Sequence, residues 1–248
     1  MSRGRKRKQS NRVESKRNRR IQLVLLGAFA IAVTALTVTA LGTGQTPAGL
    51  ASTYVAHPIE DTPQVAPTTV TFLGDSYTEG AGSSKDRTHR WSTTASRSLG
   101  WSQTIIAIGG TGYVSGDNYV NQIERVVATG SDVVVISGGR NDVDEPIETV
   151  KANVLQVIQG ITSGLPDAQV IVISPWWDDD EAPTSLGDVA AAVADTAASV
   201  GVEFIDSGQP LAGHPELMSG DGIHPNDAGY AAIAAAVTPL LEAVRSTP

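Results

Sequence analysis

The chain has 248 residues, 41% of them apolar, and a formal net charge of −8, which suits one ordinary domain with appendages. The charge is segregated: ten of the eighteen Lys and Arg precede Ile21, and the remainder carries eight basic and twenty-five acidic residues, which argues against nucleic acid or an anionic surface as its partner. There is no cysteine, so disulfide frameworks, thiolate metal sites and cysteine nucleophiles are excluded.

Residues 1–20 have no apolar periodicity and read as a basic tail. Residues 21–41 contain no charge and are long enough to cross a bilayer as one helix. Positive charge before the span puts the tail in the cytoplasm and everything after Leu41 outside, so the expected location is the cell membrane, single-pass, with an extracellular C-terminal domain. A cleaved signal peptide is the competing reading, because Val38, Thr39 and Ala40 offer small residues to a peptidase, and it gives a secreted protein. The long apolar stretch and long basic region favour the uncleaved anchor. Residues 42–68, rich in Gly, Pro, Thr and Ala, read as a flexible linker, with His57 inert in it.

From residue 69 to 248 strand and helix signals alternate. Short β-branched runs at 70–73, 104–108, 133–136, 170–173 and 202–205 predict five strands. Helical periodicity is clearest for Ile147, Val150, Val154, Val157, Ile158 and Ile161, with Pro146 at a first-turn position, and for Tyr230, Ile233, Val237 and Leu241 after an Asn226 N-cap. A third helix opens on a capping-box pattern at Ser185 to Asp188, and weaker ones are expected at 89–99 and 119–128. Alternation of this kind predicts a three-layer α/β/α sandwich around a five-stranded parallel sheet of order 2-1-3-4-5. Ligands then bind beyond the carboxyl ends of the strands, where the order reverses between strands one and three.

Four motifs fall on that edge. Ser76, in Gly74-Asp75-Ser76, closes strand one and is a candidate nucleophile; Gly110 follows strand two, with Gly109 and Gly112 as neighbours. Asn141, in Gly139-Arg140-Asn141-Asp142, follows strand three, and Asp221 and His224 precede the last helix. A serine needs a base and oxyanion donors to attack an acyl carbon, and the set supplies both. Each motif alone also has a plain structural reading as a turn or cap. Asp75 reads as a local acceptor in its turn, and His89 and His214 as surface residues. Trp176 and Trp177, after strand four, are candidates for an apolar or sugar-stacking wall of the cleft, with packing on the domain as the alternative. The acids 178–181 read as solvated loop in preference to a calcium site.

These residues resemble the SGNH, or GDSL-type, serine hydrolases, over roughly residues 69–245. The resemblance implies Ser76 as nucleophile, His224 and Asp221 as base and acid, and Ser76, Gly110 and Asn141 as oxyanion donors, with no metal or cofactor. Tyr77 stands where the family often has leucine, and the Gly-x-Ser-x-Gly elbow of the α/β-hydrolases is absent. The expected substrate is a small-molecule or glycan acyl ester, and the expected role O-deacylation of envelope or extracellular glycans. A lipase or thioesterase with the same triad, a non-catalytic binding module and a phosphate binder using the turn after strand one are the alternatives.

Overall fold

The β-branched runs become five parallel strands. The computed structural model describes residues 66–245; the expected tail, membrane span, His57 and the linker up to residue 65 lie outside the described residues. In chain order the elements are β1 (Thr69–Gly74), α1 (Ser76–Glu79), α2 (Trp91–Leu99), β2 (Ser102–Ala107), α3 (Ile123–Val127), β3 (Val133–Ser137), α4 (Ile147–Gly164), β4 (Gln169–Ile173), α5 (Thr184–Ser199), β5 (Glu203–Ile205) and α6 (Asp227–Arg245). Single 3₁₀ turns occupy Tyr119–Gln122, Arg140–Asp142 and Pro215–Leu217. The strand order is β2-β1-β3-β4-β5, as expected, with Phe72 level with Ile105 on one side and Val135 on the other.

Successive side chains of a strand point to opposite faces, and here both faces are covered. Val133 and Val135 join Phe72, Ile171 and Ile173 in a core closed by Trp91 and Ala95 of α2 and Tyr230, Ile233, Val237 and Leu241 of α6. Val134 and Ile136 face the other way, into a core closed by Val150, Val154, Val157, Ile158 and Ile161 of α4 and Val189, Val193 and Ala197 of α5. Full burial of each such side chain contributes on the order of 1.5–3 kcal/mol. Helix α6 is long and apolar enough to cross a membrane by composition, but its apolar stripe packs into the core it shares with α2.

Three local expectations change. The helix expected at 119–128 is a 3₁₀ turn running into the short α3, with Asn118 at the N-cap of the turn. Pro146 is the N-cap of α4, outside its first turn. No capping box forms at Ser185: extended Pro183 starts α5 at Thr184, so Ser185 already lies inside the helix and no side chain caps it. Asn226 does cap α6, its Oδ1 accepting from the N–H groups of Ala228 at 2.9 Å and Gly229 at 3.1 Å.

Candidate active site

The chain leaves β1 through a one-turn helix. The Asp75 carboxylate accepts the Tyr77 N–H at 2.9 Å, and Gly80, at φ +88°, ends the turn by donating its N–H to the Ser76 carbonyl. Ser76 is thereby the first helical residue, with its own N–H left out of the helix ladder. Thr78 Oγ1 and Ser137 Oγ, 2.6 Å apart, pin the turn to the end of β3.

Asp75 is the local acceptor that the sequence suggested. Burial pushes its carboxyl up to about 6, opposed by the Tyr77 N–H and by Arg140. The folded chain therefore holds this proton where the unfolded chain has lost it, and stability falls as pH rises from about 4 to 6. Asp75→Asn keeps an acceptor for Tyr77 and removes the buried charge. We expect Asp75→Asn to gain stability over wild type between pH 4 and pH 7.5, by on the order of 2–3 kcal/mol, read from denaturant midpoints at the two pH values. An offset that does not change with pH would refute the assignment.

The glycine-rich segment after β2 is held by two carboxylates. Glu79 Oε2 accepts the Gly109 N–H at 3.0 Å, and the Gly112 N–H donates to the Ser115 carbonyl at 3.0 Å. The Gly110 N–H, at φ +76°, has no hydrogen-bond partner among the described residues. A methyl group added at Gly109 would lie 3.6 Å from Ser76 Cβ, so this segment lies beside the serine. Asp142, fully buried, accepts the N–H groups of Tyr113, Val114 and Ser115 at 2.8, 3.0 and 2.9 Å. A Cβ at Gly112 would sit 2.3 Å from that carboxylate, so only glycine fits there. Asn141 Nδ2 donates to the Thr111 carbonyl at 2.8 Å, which fixes its amide beside the same segment.

The loop before α6 organises itself around Asp221. One carboxylate oxygen accepts from the N–H groups of Ile223 and His224, both at 2.9 Å, and from Ser219 Oγ at 2.8 Å; the other pairs with His224 Nδ1 at 2.8 Å. These donors, the His224 N–H first and its ring second, hold the Asp221 carboxyl far below the usual carboxylate range. An ionised Asp221 accepting Nδ1–H leaves the His224 Nε2 lone pair free. Neither Nε2 nor Ser76 Oγ has a hydrogen-bond partner among the described residues; in unliganded hydrolases such pairs are often open and tighten on binding substrate. The loop is brought to the Ser76 turn by Tyr77 Oη, which donates to the Ile223 carbonyl at 2.7 Å, with the Tyr77 and His224 rings 6.1 Å apart.

Two expectations near β4 need correcting. Trp176 is 4% exposed, packs edge-on to Trp91 and donates its Nε1–H to Ser207, so it belongs to the core and lines no cleft. Trp177, the half-buried member of the pair, lies against the Arg140 guanidinium at 4.6 Å. Asp178 is likewise no part of a solvated run: it is 8% exposed and accepts from Arg140 Nη2 at 3.0 Å. No cluster of three or more His, Asp or Glu suited to a metal occurs among the described residues. His89 and His214 are exposed, as expected. Sequence reasoning passed over Arg140 and Glu79 altogether, and Asp142 it read as a turn or cap. Arg140 and Asp142 stand inside the motif of Asn141, and that was the available signal.

A parallel α/β/α sheet with a serine at its first carboxyl end and an Asp–His pair before its last helix defines a class, the serine hydrolases of SGNH type. Residues 72–232 match the GDSL-like lipase/acylhydrolase family, and the chain belongs to it. A GDSL lipase of Mycobacterium tuberculosis is 32% identical over 189 residues, 69% of this chain and 80% of that protein. Among solved structures, the psychrotrophic esterase EstA from Pseudoalteromonas superposes with TM-score 0.62 at 14% identity, covering 73% of this chain and 100% of that one. A family two carbohydrate esterase from Clostridium thermocellum, in complex with cellohexaose, superposes with TM-score 0.60 at 18% identity, covering 72% and 65%. Likenesses at such identity speak for the fold alone.

Proposed function

We propose that this hydrolase is an exported, membrane-anchored esterase that removes O-acyl groups from envelope or extracellular glycans, with Ser76, His224 and Asp221 as its triad. In that reading Ser76 Oγ forms a bond to the ester carbonyl carbon while its proton passes to His224 Nε2, and the carbonyl electron pair moves onto oxygen. The N–H groups of Ser76 and Gly110 and the second hydrogen of Asn141 Nδ2 receive that oxyanion. The imidazolium returns its proton to the leaving alcohol as the carbon–oxygen bond breaks, and water repeats the cycle to release the acid.

The observation that carries the reading is the 2.8 Å pair of Asp221 and His224 on a loop hydrogen-bonded to the neighbour of Ser76. The unpaired Gly110 N–H, between two glycines whose N–H groups are engaged, supports it as the oxyanion donor. The anchor rests on residues 1–41, whose basic tail and charge-free run give a single-pass topology. The glycan half draws on the carbohydrate esterase among the similar folds and on the half-buried Trp177.

A lipase reading is favoured by the name of the M. tuberculosis relative. Against it, the loops between each strand and the helix that crosses back carry no helical segment longer than four residues among the described residues, which leaves no large lid for a lipid tunnel. One experiment separates these readings. The full chain in detergent is treated with a fluorophosphonate probe and then assayed on C2, C4, C8 and C16 esters. We expect the probe's mass on Ser76 and the highest kcat/KM at C2 or C4. A maximum at C16 would promote the lipase, and an unlabelled Ser76 a binding module. Protease added to intact cells should digest the domain, and a protected C-terminus would overturn the export.

A further inference from the structure

The Asp221–His224 pair is internal to one four-residue stretch, so its geometry fixes the imidazole relative to its own loop and not relative to Ser76. Something else must hold that loop in register with the nucleophile turn. Each of the three proposed reactive residues on different elements has a neighbour in a single cluster: Tyr77 beside Ser76, Arg140 beside Asn141, Ile223 beside His224. The Arg140 side chain is 9% exposed and its guanidinium lies between two rings, 4.7 Å from the centre of Tyr77 and 4.6 Å from that of Trp177. Nη2 donates to Asp178 at 3.0 Å; Nη1 donates to the Tyr77 hydroxyl and to the Ile223 carbonyl, the latter at 3.5 Å. Tyr77 Oη donates in turn to the Ile223 carbonyl at 2.7 Å.

We infer that Arg140 is a positioning residue: acting through the Tyr77 hydroxyl, it clamps the His224 loop against the Ser76 turn and the Asn141 amide. The inference rests on the roles proposed for those three residues. Its chemistry is specific to a guanidinium. A planar fork can stack between two rings while spending one nitrogen on a carboxylate and the other on a phenol, which an ammonium cannot. Burial keeps the phenol protonated, so it always has a hydrogen to donate to Ile223. A buried ion pair gains little stability over apolar residues of equal size, because both ions lose their water. Specifying the relative placement of three loops is what this one can supply. Asp178 neutralises the guanidinium without touching the reactive residues, and it anchors the clamp to the segment after β4.

Tyr77→Phe isolates the device, because it keeps the ring that stacks on Arg140 and deletes only the oxygen that passes the hydrogen bond on. Arg140→Lys keeps the charge and deletes the fork. A displaced reactive group of this kind costs roughly 10- to 100-fold in rate. We expect each variant to lose that much in kcat and in the rate of fluorophosphonate labelling at Ser76. KM should stay within about threefold and the melting temperature within about 5 °C of wild type. The double variant should be no slower than the slower single, since both break one relay. Tyr77→Phe with wild-type kcat and labelling rate would overturn the inference, whether or not Arg140→Lys folds. A lowered melting temperature with unchanged kcat would overturn it as well, leaving the cluster a merely structural one. Wild type inert toward the probe would instead overturn the Ser76 reading, and the inference with it.

Discussion

With Ser76 and His224 in their proposed roles, Ser76→Ala and His224→Ala should each lower turnover of a short-chain ester by about 10⁴- to 10⁶-fold, the loss typical of removing a nucleophile or its base from a triad. The fold should survive both. Ser76 Oγ and His224 Nε2 have no hydrogen-bond partner among the described residues, so their removal orphans nothing in the unliganded protein. In His224→Ala the Asp221 carboxylate loses the Nδ1 contact but retains Ser219 Oγ and the N–H groups of residues 223 and 224. The Asp221 side chain is about half exposed, so its carboxylate can turn to water. Alanine also keeps His224 Cβ, which faces Gly82 in the loop after α1. The double variant should be about as slow as either single, because nucleophile and base act as one unit. Kinetics on C2 and C4 esters with matched circular dichroism and melting curves check this. A Ser76→Ala enzyme with more than about a tenth of wild-type kcat would remove Ser76 from the mechanism.

The sheet was legible because its strands are short β-branched runs, those of the central β1, β3 and β4 buried on both faces, a pattern with few other uses. Each strand begins and ends within two residues of its expected bounds, and the order 2-1-3-4-5 holds. Helices with a strong apolar stripe, α4 and α6, were equally plain. The 119–128 segment was not, since a 3₁₀ turn and a five-residue helix share most of the same periodicity. Around the site the limit was different in kind. Trp176 and Trp177 are adjacent and identical, and which of them turns into the core depends on Trp91 and Ser207, far away in sequence. Asp178 looked like the head of a solvated acidic run because its partner, Arg140, is 38 residues upstream and on another strand end. No periodicity encodes such a pairing. Gly109, Gly110 and Gly112 are likewise equivalent as letters. The Glu79 carboxylate on Gly109 and the Ser115 carbonyl on Gly112 separate them in space.

Asn141→Ala should lower kcat by about 10²–10³-fold, or about 2.7–4 kcal/mol in the transition state, with KM nearly unchanged. Its amide nitrogen has two hydrogens. One donates to the Thr111 carbonyl at 2.8 Å, which locks the side chain's rotation, and the other is the one assigned to the oxyanion in the proposed mechanism. The asymmetry separates a structural loss from a chemical one. Without Nδ2 the buried Thr111 loses this donor, and an unsatisfied buried acceptor costs about 1–3 kcal/mol of stability. That cost appears in the melting curve of Asn141→Ala and leaves ground-state binding alone. The missing oxyanion donor appears only in kcat, because negative charge develops on the carbonyl oxygen only in the transition state. Asn141→Asp sharpens the contrast. It is nearly isosteric, cannot donate when ionised, and sets a carboxylate where negative charge must grow, so its kcat should fall below that of Asn141→Ala. Asn141→Ala with wild-type kcat, or an Asp variant faster than the Ala one, would take Asn141 out of the oxyanion site and leave it the role of bracing Thr111.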